Sequence, residues 1–575
     1  MKKKKLLRSW RIPNYLRRLS CTDIDMQDER PKRSNRFRSV VALANSKLSI
    51  QWAAALLASA TLISSLLGIY RDRLLNGLYL DSYPVGIDAY TAAFTIPDFM
   101  YFLLVSGALS VSFIPVFNQR LASGNRKSAW ELSSSLVNLL AIVTFVASVL
   151  IIIFAEPLVR YVVGPGLDEQ GRSLAISMMR IIAVNPLLFA VATVVSSMQQ
   201  AVGRFAFLAL APVLYNIGII IGALFFTGGI NIFGWQIFDG GIMGVALGVV
   251  LGAMLQLIVS SIGLLGLSFD YRAKINWKNK GFRQVLRLLP PRSLDQGIDY
   301  FNGIVEMNLA SRMGDGVMRA YQQASSLSLM PVSLIGVAIS NAAFPTLTEH
   351  LAEGDNKQFK RELRSILRWI IWLALPTAVI AYFARGYIVA FIKNGGNSLI
   401  AGLLGALVIA ILFRTIYHIA ARAFYAKQDT KTPLYVSIFS IALNIVLAVT
   451  FTMKFGWGAY GLAWAQSIVA FVEVMILLTI LNIRIPGLLS RKFGSSIMRM
   501  VLASLCMGVI TYLTVQFLQL QNDDLSFTAI FPKFAVIVVI SLSAYLLFCK
   551  LFKLREADPV IAKIGSILFG RVKSK

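Results

Sequence analysis

Apolar runs of about 20 residues recur from residue 49 to residue 552, and a run of that length is what a helix needs to cross the hydrocarbon core of a bilayer. Lipid offers the backbone no hydrogen-bond partner, so such a chain is confined to helices that satisfy their own amides and carbonyls. Fourteen segments fit: 49–70, 86–116, 131–155, 174–199, 205–227, 241–267, 286–311, 316–347, 366–392, 398–424, 434–453, 458–482, 496–519 and 528–552. The expected fold is an all-α polytopic membrane protein with 14 transmembrane helices. Composition agrees, since 15% of residues are charged against about 25% in soluble domains.

Charge in the loops orients the chain. Residues 1–48 hold 14 Lys and Arg and four acids, with no apolar core at signal-peptide distance. They read as a basic cytosolic arm, disordered and suited to anionic phospholipid. Loops after even-numbered helices carry roughly twice the Lys and Arg of loops after odd ones. The linker 268–285 is the richest of them, and the tail 553–575 is basic too. An even helix count with this bias places both termini in the cytoplasm. The net charge of +28 then reads as topology and lipid contact, with no call for nucleic acid.

The chain also repeats itself. Phe113-Ile-Pro115 through Leu121-Ala122-Ser-Gly124 is matched by Phe344-Pro345 through Leu351-Ala352-Glu-Gly354, a spacing of 230. Gly241-Ile-Met-Gly244-Val-Ala246 is matched by Gly458-Ala-Tyr-Gly461-Leu-Ala463, a spacing of 217. The shortfall fits an extra loop near 228–240. Six helices separate the copies, so the halves share one orientation, as in transporters built from parallel repeats. The expected organisation is an N-lobe at 49–267 (helices 1–6), the linker 268–285, a C-lobe at 286–482 (helices 7–12) and two added helices at 496–552.

Ionisable groups inside spans are costly and mark substrate or ion routes. Helix 7 carries Arg292, Asp295, Asp299 and Glu306, which fall within about 60° of one helical face. Pro290-Pro291 and Gly297 are expected to interrupt that helix, as happens where helices line cavities. Helix 10 carries Arg414, His418 and Arg422 on one face. Arg180 in helix 4, Arg319 near the start of helix 8, Arg71-Asp72-Arg73 at the end of helix 1, and Asp88 and Asp98 flanking Pro97 complete the set, with Glu473 alone in helix 12. Arginine forks suit phosphate, so several of them would favour an anionic cargo. Against catalysis, the chain has no GxxxxGK[ST] loop, no HExxH and no readable nucleophile–base pair. Three scattered cysteines and two distant histidines suggest neither a disulfide framework nor a metal centre. No cofactor is expected, and energy would come from an ion gradient, the membrane potential or a downhill cargo.

Gly68-Ile-Tyr-Arg71-Asp72-Arg73-Leu-Leu75, Asp88-Ala89, Phe94-Thr-Ile-Pro97, Gly107-Ala108-Leu-Ser110 and Phe113-Ile-Pro115-Val resemble the opening helices of the MurJ/MviN family. Gly336-Val-Ala338 with Phe344-Pro345, and Phe424-Tyr-Ala-Lys427-Gln-Asp429-Thr-Lys431-Thr-Pro433, carry the likeness onward. It runs from about residue 50 to 555. The resemblance implies the multidrug/oligosaccharidyl-lipid/polysaccharide exporter fold: two six-helix lobes around a cavity, with helices 13 and 14 forming a lipid-tail groove. It implies a flippase for lipid II, a polyprenyl-pyrophosphate-linked peptidoglycan precursor, in the bacterial inner membrane, with a cationic cavity receiving the headgroup. Arg71, Asp72 and Asp88 carry over directly. Other family arginines are replaced, at Ser65, at Tyr101 and Phe102, and at Ser326. The sodium site of some members is incomplete here, since Asn444 is followed one turn later by Ala448. Flippases for other polyprenyl glycans, cation or drug antiporters of the same superfamily, and a non-transporting scaffold are the competing expectations.

Overall fold

The computed structural model describes residues 50–568 except 233–234, 266, 268 and 522. Within its helices and strands the side chains of 50, 51, 54, 106–111, 230–237, 288–299, 564–565 and 567–568 are outside the description. The basic arm 1–48 and the last residues of the tail therefore lie outside the described residues.

With a short helix Arg385–Ala390 between the ninth and tenth, the described helices group into fourteen rods, consistent with the expected all-α fold. They are α1 (Ile50–Tyr79), α2 (Pro84–Leu104 and Ser106–Ala122), α3 (Arg126–Val163), α4 (Glu169–Ile182 and Asn185–Ala201), α5 (Ala206–Phe226), α6 (Ile242–Ile262) and α7 (Lys280–Ala310). The second half holds α8 (Val317–Ala352), α9 (Asn356–Phe383), α10 (Ser398–Ala426), α11 (Lys431–Lys454), α12 (Ala459–Arg484), α13 (Arg491–Phe517) and α14 (Phe527–Leu551), and the short α15 (Ala557–Leu568) follows. Eleven of the described rods are long and apolar enough to cross a membrane. The other three, α1, α2 and α7, include the helices richest in intramembrane charge.

The repeat is visible in backbone geometry. Gly124 and Gly354 both adopt left-handed φ, +74° and +76°, and each ends the second helix of its lobe as only glycine does freely. The next residue then starts the third helix: Asn125 accepts from the Ser128 amide and Asp355 from the Gln358 amide, N-caps worth about 1 kcal/mol each. Gly241 and Gly458 open α6 and α12 at φ +67° and +56°. Both fifth helices close in a π-helical turn, Gly222–Phe226 and Thr450–Lys454. The expected loop near 228–240 is an antiparallel β-hairpin, β1 (Ile230–Ile232) with β2 (Trp235–Phe238).

Helices in lipid gain little from hydrophobicity and associate through close packing. In the N-lobe α5 and α6 meet along Gly218, Gly222, Gly248 and Gly252, where a Cβ on any one would strike the opposite backbone. Large side chains such as Phe145, Phe154, Leu334 and Phe517 stay exposed on the outside, as lipid contact requires.

The buried core has an uneven shape. At the end of the molecule that carries the odd-numbered loops, one cluster runs through both lobes, from Leu75, Ile87 and Met178 to Ile304, Met318 and Leu403. At the even-loop end the lobes keep separate cores. Phe113, Phe117 and Trp130 centre the N-lobe core, while Phe359, Phe424 and Leu477 centre that of the C-lobe, which also takes in Tyr545 of α14. Apart from the start of α7, which packs Phe282 and Val285 into the N-lobe core, the lobes thus share a core at one end and keep separate cores at the other. The expected interruption of α7 is not found, because it runs as one α-helix through Pro290, Pro291 and Gly297. A proline in a membrane helix is tolerated where neighbours re-satisfy the freed carbonyl, and α7 packs closely on α2 and α11.

At the even-loop end, Asp429 stands just before α11. It accepts from the Thr432 hydroxyl at 2.6 Å and from the Lys431 and Thr432 amides at 3.1 Å, and it pairs with Arg484. The Thr432 hydroxyl first, and the Arg484 guanidinium after it, hold this carboxyl down at about 2.

Candidate functional site

Four of the ten candidate residues meet where the lobes join. Arg71 and Asp72 lie near the odd-loop end of α1, Asp88 in the first turns of α2, and Arg319 in the first turn of α8. Arg71 donates through Nε and Nη2 to Asp72 Oδ1 at 3.2 and 3.0 Å, and through Nη1 to Asn216 of α5 at 3.0 Å. Arg319, 4% exposed, reaches the same Asp72 oxygen at 3.3 Å, Asn76 Oδ1 at 2.9 Å and Gln322 Oε1 at 3.1 Å. Its backbone amide donates to Asp88 Oδ1 at 2.8 Å. Asp88 therefore stands at the start of α8, placing an anion where the helix dipole favours one. A carboxylate of one lobe thus holds the helix start of the other.

Further bonds cross beside this network. Asn76 donates to the Ile392 carbonyl at 2.9 Å, Lys393 pairs with Asp81 at 2.6 Å, and Gly166 meets Ser311 at 3.2 Å. Arg73 donates to the Ala390 carbonyl at 2.9 Å and to Leu525 in the loop joining α13 and α14. All the hydrogen bonds and ion pairs described between the lobes lie at this end.

Glu306 and Arg414 line a different place, a cavity of about 510 Å³ in the C-lobe. Glu306 is 5% exposed and surrounded by amides. Asn302 and Asn444 each donate to Oε1 at 2.9 Å, and Gln466 Nε2 lies 2.8 Å from both carboxylate oxygens and 2.7 Å from the Tyr321 hydroxyl. Glu473, His418, Ser325 and Ser326 share the cavity wall. The Asn444 and Gln466 amide oxygens have no hydrogen-bond partner, since their nitrogens are turned to the carboxylate. Asn302 and Glu306, one turn apart on α7, thus reach Asn444 of α11 and Gln466 of α12.

Arg180 stands apart. It is exposed, with Nε 3.4 Å from the Ile152 carbonyl on the outer, apolar side of α3, and does not join the other candidates. Arg292, Asp295 and Asp299 lie on α7, but their side chains are outside the described residues. Among the described residues, Arg71, Arg319 and Arg414 stand with Asp72, Asp88, Asp98, Glu306 and Glu473, so the interior is mixed. Tyr101 and Phe102 form part of an aromatic wall: Phe102 stacks on Tyr300 at 3.9 Å, and Tyr101 meets Phe189 edge-on at 5.4 Å.

Sequence reasoning missed the amides Asn76, Asn216 and Gln466, and the Lys393–Asp81 pair. The amides carry no charge to flag them, and Lys393 looked like a loop cation.

The family model described as Lipid II flippase MurJ matches residues 84–532. A probable lipid II flippase MurJ of Bdellovibrio bacteriovorus is 27% identical over 510 residues, covering 86% of this chain and 94% of that protein. The Thermotoga maritima counterpart is 26% identical, covering 88% and 97%. Among solved structures, a lipid II flippase MurJ in an inward closed conformation aligns with a TM-score of 0.70 at 23% identity, over 87% of this chain and 98% of that one. An inward-facing multidrug resistance MATE family transporter aligns at 0.63 and 15% identity, over 74% and 96%. With its fourteen-rod, two-lobe fold and a family match spanning α2 to α14, this multi-pass membrane protein belongs to the MurJ family of lipid II flippases.

Proposed function

We propose that this protein carries lipid II from the inner to the outer leaflet of a bacterial plasma membrane by alternating access. A pyrophosphate-linked glycan cannot cross hydrocarbon unaided, and a lined cavity between two lobes replaces its hydration while the prenyl tail stays in lipid. The observation that carries the reading is the uneven junction: the lobes share a core and a charged network at the odd-loop end, and at the other keep separate cores with only the start of α7 reaching across. The basic bias of the even loops supports placing that open end, and both termini, in the cytoplasm. In this orientation Asp72, Asp88 and Arg319 form an outer latch that must release for outward opening. Arg71, Arg319 and Arg414 are the phosphate-binding candidates. The partners of Arg71 and Arg319 in the resting protein are carboxylates and amides, which a diphosphate would displace. Drive comes from the membrane potential, an ion gradient or consumption of the product outside.

Growth of a bacterium depleted of its own lipid II flippase is the test. The wild-type chain is expected to restore growth and the appearance of lipid II outside, and Arg319→Gln to fail while reaching the membrane. Wild-type protein that inserts but restores neither would sink the reading. A second reading, a cation or drug antiporter, is favoured by the carboxylates Asp98, Glu306 and Glu473. Binding of cationic dyes with no binding of lipid II would select it.

A further inference from the structure

One ionisable group inside the N-lobe takes no part in the latch. Asp98 sits on α2 one residue after Pro97 and is partly exposed. Among the described residues no hydrogen bond or cation reaches it. Arg71 of α1 already gives its donors to Asp72 and Asn216. An unpaired carboxylate within a membrane-spanning helix is costly, and it persists where something arrives to pair with it.

Its surroundings indicate what arrives. Phe94 lies one turn before Asp98, and Tyr101 and Phe102 lie one turn after it, so all four share one face of α2. Phe94 meets Tyr90 edge-on at 4.9 Å, and Tyr101 meets Phe102 at 5.2 Å. Beyond them the rings continue, Tyr101 to Phe189 at 5.4 Å and Phe189 to Tyr215 at 5.3 Å. Phe102 lies flat on Tyr300 of α7, at 16° between planes, where the N-lobe wall meets the C-lobe cavity. A carboxylate framed by aromatic rings suits neither phosphate nor bare hydrocarbon. It is the chemistry that receives an ammonium, by ion pairing and by attraction to ring faces.

We propose that Asp98, with the rings of Phe94, Tyr101 and Phe102 a turn to either side, is the ammonium-binding position of the transport cavity. The assignment rests on the transporter reading above and adds a second recognition element to it. Anionic groups of a cargo go to the guanidiniums and an amine goes to α2. The ammonium belongs either to a peptide-bearing lipid headgroup or to a free organic amine.

The test uses full-length protein in lipid nanodiscs. The probes are lipid II with a free side-chain amine in its peptide, the same lipid with that amine acetylated, and benzyltrimethylammonium. The free-amine lipid is expected to bind about tenfold more tightly than the acetylated one. Asp98→Asn removes that difference without weakening the acetylated lipid, and Asp98→Glu restores part of it. Arg292→Gln, on the facing helix, leaves the preference in place. If neither lipid binds the wild type but benzyltrimethylammonium does, and Asp98→Asn abolishes that binding, the ammonium position stands and the lipid II reading falls. Equal affinity for the two lipids overturns the proposal, as does an Asp98→Asn protein with an unchanged melting temperature and an intact preference. So does loss of the preference in Arg292→Gln, which would make Asp98 the partner of that arginine.

Discussion

Replacing Arg319 with glutamine should loosen the odd-loop end of the molecule by a measurable amount. The guanidinium makes three side-chain hydrogen bonds, to Asp72, Asn76 and Gln322, and two of these cross between lobes. Bonds to charged groups contribute about 1.5–3 kcal/mol each, and breaking a buried pair by removing one partner costs about 3–5 kcal/mol. Part of that cost is recovered, because Asp72 keeps Arg71 and glutamine retains one amide donor. A net loss of about 1.5–3 kcal/mol is expected, which shifts the balance between the joined and separated states of that end by roughly ten- to a hundredfold. Spin labels at Ser82 and Asn394, exposed loop positions of opposite lobes, would read the populations as distances. The decisive comparison is the cycle formed by Arg319→Gln, Asp72→Asn and the double variant. If the pair couples the lobes, the double variant opens far less than the sum of the two singles. Additivity within about 0.5 kcal/mol would mean that the contact does not hold the lobes together.

Three other perturbations follow from the same geometry. Gly248→Leu should separate α5 from α6, since even a Cβ there meets Gly222; a loss of about 1–3 kcal/mol would lower the melting temperature in detergent, and an unchanged value would refute the packing argument. Glu306→Leu strands the amides of Asn302, Asn444 and Gln466, at about 1–3 kcal/mol for each group left unsatisfied, so it should melt below Glu306→Gln; the reverse order would show that the amides are not held by the carboxylate. Asp429 has its carboxyl depressed from the usual range to about 2, so its contribution is fully present above about pH 4 and is lost as pH falls through about 2. Asp429→Asn should flatten that part of the acid melting profile, and a variant profile matching the wild type would contradict it.

The fold was legible because apolar length and backbone punctuation are local. Gly124 and Gly354 are paired by sequence alone, and both turn out to hold the same left-handed turn. The segment between Thr227 and Gly241 was readable as an insertion but not as a hairpin. The charged helices were readable as unusual, yet sequence could not say which lobe each charge serves. Arg319 and Asp72 lie 247 residues apart, and nothing along the chain announces that they share an oxygen. Arg180 shows the converse failure, where intramembrane position was legible and the side of the lobe was not. The amides around Glu306 were invisible because an Asn or Gln in an apolar span has no period and no charge.

The sharing of Asp72 Oδ1 by two guanidiniums has a stoichiometric consequence. Each arginine holds the same acceptor, so neither can be discharged without disturbing the other. An incoming anion that evicts this one oxygen unmasks two cations in a single exchange, one on each lobe. Ligand arrival and unfastening of the lobes are then the same chemical event.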